Sequence, residues 1–268
     1  MPLSHAHLAH DREGPAGAPV LVLLHAGVAD RRMWDPVWPD LTRDHDVVRP
    51  DLRGFGDSAT LPDGPLDPRA DVIGLLDDLG VGRCHLVGAS FGAGVAAEVA
   101  LTRPERVASL VLAPPGGSLL VTRTPDLAAF GAAESAALAA GDLDAAVAAN
   151  VDTWVVGPSR DAGDVDPAVR EAVARMQRRA FEVGAAFEDV EEAELDPPVA
   201  ERYRDLVAPT LVLVGDHDLE TTHDAADRLV AGLPTVRREG WPDAAHLPSM
   251  EHPGRFAARV RDWVAGRR

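Results

Sequence analysis

Short runs rich in valine and leucine recur along the chain, each bounded by turn residues: "VLVLLHAG" from Val20, "DVVRPDLRG" from Asp46, "RCHLVGAS" from Arg83, "VASLVLAPP" from Val107 and "TLVLVGDHD" from Thr210. A strand with one wet face alternates apolar and polar residues. These runs do not, so both of their faces must be covered, as in a parallel sheet between layers of helices. The text between them has helical spacing. "DPRADVIGLLDDLG" places Val72, Leu75, Leu76 and Leu79 on one face and stops at Gly80, and "FGAGVAAEVALTRPERV" stops near Pro104. The segments "THDAADRLVAGLP" and "HPGRFAARVRDWVAGRR" are amphipathic in the same way. The alternation specifies an α/β chain with a mostly parallel, doubly wound sheet.

Between about Gly116 and Arg204 the strand pattern gives way to alanine-rich and charged helical text, and strands resume at Thr210. The expectation is a core formed by residues 1–115 and 205–268, interrupted by a helical cap at 116–204. Within that insertion "EDVEEAEL", from Glu188, reads as the solvated face of a cap helix rather than as paired catalytic carboxylates.

The formal net charge of −17 disfavours attraction to nucleic acid or to an anionic membrane surface and suits neutral or cationic small molecules. All 26 basic residues are arginine. No segment approaches about 18 continuous apolar residues, and the opening "MPLSHAHLAHDREG" has no basic stretch followed by an apolar core, so a cytoplasmic location is expected. The single cysteine, Cys84, precludes an intrachain disulfide and reads as a small buried filler. His5, His7 and His10 spell H-x-H-x-x-H but lack a nearby acid or cysteine, so no metal site is expected there. "DLRGFGDS" lacks the P-loop lysine and is expected to be a structural turn pinned by Asp51 and Arg53.

One stretch carries chemistry. Gly88-Ala89-Ser90-Phe91-Gly92 is G-x-S-x-G, placed directly after an apolar strand and directly before a helix. A sharp strand-to-helix turn strains the serine backbone and leaves its hydroxyl exposed above the sheet, while side chains at the flanking glycines would collide. A serine hydroxyl is a poor nucleophile at neutral pH, so it needs a base and a carboxylate to orient that base. After the strand "TLVLVG" stand two candidate acids, Asp216 and Asp218, and "EGWPDAAHLPSMEHP" presents His246 in a loop before the last helix. His217 and His223 lie too near the acids in sequence, and His252 already leads into the helix. The oxyanion formed on a carbonyl would need two donors. The N–H of Phe91 is one candidate, and the N–H of Gly27, in the loop "HAGVADRRMWDP", is the other. Val28, Trp34, Trp154 and Leu247 are expected as substrate-binding walls.

Taken together, "HAGVADRRMWDP", "DLRGFGDS", "GASFG", "VGDHD" and "AAHLPSMEHP" resemble, in order and spacing, the α/β-hydrolase superfamily, and within it the capped esterase and enol-lactone hydrolase branch. The likeness covers nearly the whole chain. It implies a Ser90, Asp218, His246 triad, because the acid in such proteins sits three residues after the strand-ending glycine, here Gly215. It also implies an oxyanion hole from the Gly27 and Phe91 amides, no metal or organic cofactor, and a small-molecule ester or lactone as substrate. Carbon–carbon bond hydrolysis, cofactor-free perhydrolysis, a ligand receptor built on the same fold, and a biosynthetic thioesterase or cyclase share these residues. No macromolecular partner is implied beyond a second copy in a homodimer. The chain departs from the pattern at His25-Ala26, where many relatives have His-Gly, and before Val20, where there is room for little more than one strand.

Overall fold

The valine- and leucine-rich runs form the interior of a seven-stranded sheet. In the computed structural model, which describes residues 8–267, the strands are β1 (His10–Glu13), β2 (Val20–Leu24), β3 (Asp46–Pro50), β4 (Cys84–Ser90), β5 (Val107–Pro115), β6 (Thr210–Gly215) and β7 (Val236–Trp241). Their spatial order is β1-β3-β2-β4-β5-β6-β7. Only β1 runs antiparallel to its neighbour, pairing His10 with Pro50 and Glu13 with Val47, while β2 to β7 are parallel. All six therefore end at one edge of the sheet.

Successive residues of the central strands point into two different cores. Leu21, Leu23, Val87, Val111 and Leu213 enter one, and Val22, Leu24, Leu86, Leu110 and Val212 enter the other. This is the physical reason that the runs do not alternate in polarity. The helices are α1 (Trp38–Leu41), α2 (Pro68–Asp78), α3 (Phe91–Thr102), α4 (Pro125–Ala139), α5 (Leu143–Asn150), α6 (Pro167–Gly184), α7 (Val199–Arg202), α8 (Glu220–Gly232), α9 (Pro248–Glu251) and α10 (Pro253–Ala265). Phe256, Val260 and Trp263 of α10 close the first core with Met33 and Trp34, and residues of α2, α3 and α8 close the second. α2 starts where Asp67 accepts the N–H of Ala70 at 2.9 Å with Pro68 in the first turn, and it gives way to Gly80 at φ 64°.

Between β5 and β6 lie the helices α4 to α7 and no strand of the sheet. α4 and α5 are separated by Gly141, and α5 runs on into a π-helical turn, Val151–Val156. The stretch from Glu188 to Leu195, expected as a helix, is not one. α6 ends at Gly184 and a short 3-10 turn follows; the chain then runs extended enough for the Leu66 N–H to reach the Glu191 carbonyl at 2.7 Å and the Ala193 N–H to reach Leu66 at 2.8 Å. Its solvation is as expected, since Glu188, Glu191, Glu192 and Glu194 are exposed. "DLRGFGDS" is a structural turn. Asp51 accepts the N–H groups of Arg31 and Asp57, both at 2.8 Å, and Arg53 binds both oxygens of Asp71. Cys84 is buried, and burial pushes its thiol pKa up to about 12. His5 and His7 lie outside the described residues.

Candidate active site

Ser90 closes β4 and caps α3 with φ 51° and ψ −113°, the only positive φ at a non-glycine residue among those described. An L-residue pays steric strain of about 1–3 kcal/mol for such a conformation, which persists only where the surroundings enforce it. Here the enforcement is close packing at the two glycines. A Cβ on Gly88 would lie 2.4 Å from the Gly92 carbonyl oxygen, and one on Gly92 would lie 2.3 Å from that of Leu24. The Gly92 N–H also donates to the His25 carbonyl at 3.0 Å, joining the start of α3 to the loop after β2.

The acid and the imidazole meet at the ends of β6 and β7. Nδ1 of His246 lies 2.8 Å and 2.7 Å from the two oxygens of Asp218, and both residues are buried. A carboxylate only accepts, so Nδ1 carries the hydrogen, and in the neutral ring Nε2 keeps the lone pair. Asp218 also accepts the N–H of Leu219 at 2.7 Å and the hydroxyl of Thr222 at 3.2 Å, which fixes its plane. Asp216, the other candidate acid, is exposed, and its N–H is held by the Trp241 carbonyl.

Nε2 of His246 is buried without a hydrogen-bond partner among the described residues, so it is not bonded to Ser90 Oγ here. Ser90 and His246 stand on the same edge of the sheet, and a contact between a nucleophile and its base, when loose in a free enzyme, tightens with substrate bound. Trp154, in the π-helical turn, covers the imidazole with ring centroids 4.4 Å apart, and Phe130 of α4 stands edge-on to Trp154 at 5.3 Å. The His246 N–H reaches the Trp154 carbonyl at 3.3 Å.

The other residues singled out from the sequence fall in two groups. Gly27 comes close to Phe91, since a Cβ added to Gly27 would lie 3.6 Å from that of Phe91, and Val28 follows it in the same turn, 7% exposed. Trp34 and Leu247 are fully buried in the core, Trp34 against Phe256 at 6.0 Å. A cavity of about 540 Å³ is lined by Phe91, Val95, Glu98, Ser118, Glu192 and Leu195 among others. Burial raises the carboxyl pKa of Glu98, and a hydrogen bond from Ser118 acts against that shift. Among the described residues, no group of three or more His, Cys, Asp or Glu side chains is arranged to hold a metal ion.

Two contributors were not legible in the sequence. Arg160 donates from Nε to the Val156 carbonyl and from Nη2 to the Val155 carbonyl, both at 2.8 Å, and from Nη1 to Glu251 at 2.7 Å. The other oxygen of Glu251 accepts the N–H of Ala245, next to His246, at 2.8 Å. This buried pair ties the turn carrying Trp154 to the loop carrying His246. With 90 positions between the partners, no local pattern marks it.

Against known proteins, the model of the Alpha/beta hydrolase family matches residues 21–259. The carboxylesterase YbfK of Bacillus subtilis (strain 168) is 26% identical, over 94% of this chain and 82% of its own length. The 2-hydroxymuconate semialdehyde hydrolase of Pseudomonas sp. (strain CF600) is 31% identical, over 93% of this chain and 88% of its own. The crystal structure of the enol-lactonase from Burkholderia xenovorans LB400 superposes with a TM-score of 0.76 at 23% identity, covering 96% of each chain.

Proposed function

Because the chain belongs to the alpha/beta hydrolase family, with a match over residues 21–259, we propose that it is a serine hydrolase cleaving a small, uncharged carboxylic ester or lactone through an acyl-enzyme. The observation that carries this reading is the Asp218–His246 pair, which leaves a buried, unpartnered imidazole lone pair on the sheet edge where Ser90 is held in a strained turn. Ser90 Oγ attacks the carbonyl carbon as His246 Nε2 takes its proton. Asp218 holds the imidazole in the tautomer that can accept, and balances the imidazolium. The negative oxygen is received by the N–H groups of Gly27 and Phe91. The tetrahedral intermediate collapses, His246 returns the proton to the leaving alkoxide, and water repeats the sequence on the acyl-enzyme. The helices between β5 and β6, at 116–204, act as a cap over this site, with Trp154 as its inner wall.

Charge argues against an anionic substrate. Net charge is −17, and the cavity beside Phe91 carries Glu98, Glu192 and Glu194. Arg31, Arg178 and Arg179, the arginines that could serve as an anion clamp, are bound by Asp51, Asp144 and the Gly56 carbonyl. A second reading is favoured by the relative at 31% identity. A hydroxymuconate semialdehyde carries no ester, so its hydrolysis breaks a carbon–carbon bond, and the same three residues can serve that reaction.

The test is labelling by a fluorophosphonate together with turnover of p-nitrophenyl acetate and butyrate. Both are expected in the wild type and abolished by Ser90→Ala. Turnover of a β-diketone but of no ester or lactone selects the carbon–carbon reading, and esterase activity that survives Ser90→Ala overturns both.

A further inference from the structure

The buried side chain of His25 is not used in the reaction as written, yet its surroundings fix its chemistry completely. The Leu52 amide N–H lies 2.9 Å from Nε2, and an amide N–H can only donate, so Nε2 is the acceptor. The Ala26 carbonyl lies 2.9 Å from Nδ1, and a carbonyl can only accept, so Nδ1 carries the hydrogen. Both bonds require a neutral ring. Burial also lowers the pKa of His25, against the pull of Asp51 and Asp30.

The Ala26 carbonyl receives a second donor, the N–H of Ala29 at 3.0 Å. That carbonyl shares one rigid peptide plane with the N–H of Gly27. The bond is trans, since the cis bonds of the described chain are at Ala113-Pro114 and Asp196-Pro197. In a trans unit the C=O and the N–H point in opposite directions. Pinning the carbonyl from one side therefore aims the N–H of Gly27 to the other.

Resting on the serine hydrolase reading above, we infer that His25 is the positioning residue of the oxyanion hole: by holding the Ala26 carbonyl it orients the Gly27 N–H toward the oxyanion. Its backbone carbonyl, which accepts the Gly92 N–H, keeps that loop in register with the start of α3. The two donors, Gly27 and Phe91, are thus set by one residue that never touches substrate.

Two replacements separate the bonds of the ring. In His25→Asn the side-chain NH₂ takes the place of Nδ1 and can still donate to the Ala26 carbonyl. In His25→Gln the side-chain oxygen takes the place of Nε2, keeping the Leu52 bond and losing the other. An oxyanion donor is worth about 10²–10³ in kcat, so its misalignment in His25→Gln is expected to lower kcat on p-nitrophenyl butyrate by roughly 10–100-fold. KM should stay within about twofold, because the donor acts on the transition state. Inhibition by an alkyl trifluoromethyl ketone, whose hemiketal oxyanion imitates the intermediate, should weaken by the same factor. His25→Asn should recover most of kcat. Nitrogen NMR of imidazole-labelled wild type, assigned by the signal lost in His25→Gln, should show the Nδ1-protonated tautomer.

Equal losses in both variants, a loss expressed in KM alone, or an Nε2-protonated ring would overturn the inference. Ser90-dependent turnover with kcat intact in His25→Gln sinks it too and leaves the hydrolase assignment standing. Turnover indifferent to Ser90→Ala removes that assignment, and the oxyanion role of Gly27 with it.

Discussion

Asp218 accepts from His246, Leu219 and Thr222 and is buried beside its imidazole partner. Asp218→Asn would keep this packing but place an NH₂ opposite Nδ1, driving the hydrogen to Nε2 and removing the base. The expected loss of kcat is about 10³–10⁴-fold, read by steady-state kinetics, with the fold intact by circular dichroism. His85 offers a different residue-level test. Its Nδ1 meets the Ser109 hydroxyl at 2.8 Å, and burial, reinforced by nearby positive groups, lowers its pKa to about 4. The unfolded chain protonates near the ordinary value of about 6.5, so stability is full above that value and falls as the pH drops toward 4. A His85→Gln variant should show a flatter urea midpoint between those limits and no change in its pH dependence above them. At this scale Ser90 and the Asp218–His246 pair were readable because each follows a strand end. Trp154 was singled out as a pocket wall, but its seat on His246 depends on a π-helical turn that no periodicity announces.

The elements divide by how much water they meet. The five inner strands are buried on both faces and stand out in the sequence, whereas β1 and β7 at the borders read "HDRE" and "VRREGW" and are largely exposed. An edge strand needs little apolar surface, so it leaves little apolar signal. The same limit explains the stretch from Glu188 to Leu195, where exposed glutamates suit a helix but backbone pairing with Leu66 decides the conformation. Between elements, the Arg160–Glu251 pair makes its own prediction. Arg160→Met would leave Glu251 buried and unpaired at a cost of about 3 kcal/mol. Hydrogen exchange should then quicken in two separate stretches at once, the π-helical turn with its following loop and residues 244–252. Faster exchange confined to the first would show that the pair does not couple the two.

For the whole molecule, the doubly wound layout was legible because helices and strands alternate, and the helical stretch between β5 and β6 was visible as a gap in that alternation. How those helices pack was not, since it rests on contacts such as Phe130 with Trp154, between segments apart in sequence. The net charge of −17 acts on every substrate that approaches. At low ionic strength kcat/KM for a neutral ester should exceed that for the matched ester bearing a carboxylate. The gap should narrow as salt is raised past 0.1 M, where screening sets in within about 10 Å. A gap independent of salt would place the discrimination in local contacts.

The arginines of β7 settle how far the sheet can grow. Charged side chains on a border strand discourage another chain from pairing there, and β7 carries Arg237, Arg238 and Glu239 in succession. Both arginines are paired with acids, Arg237 with Glu239 and Arg238 with Asp227. Strand-by-strand polymerisation is therefore disfavoured at that margin.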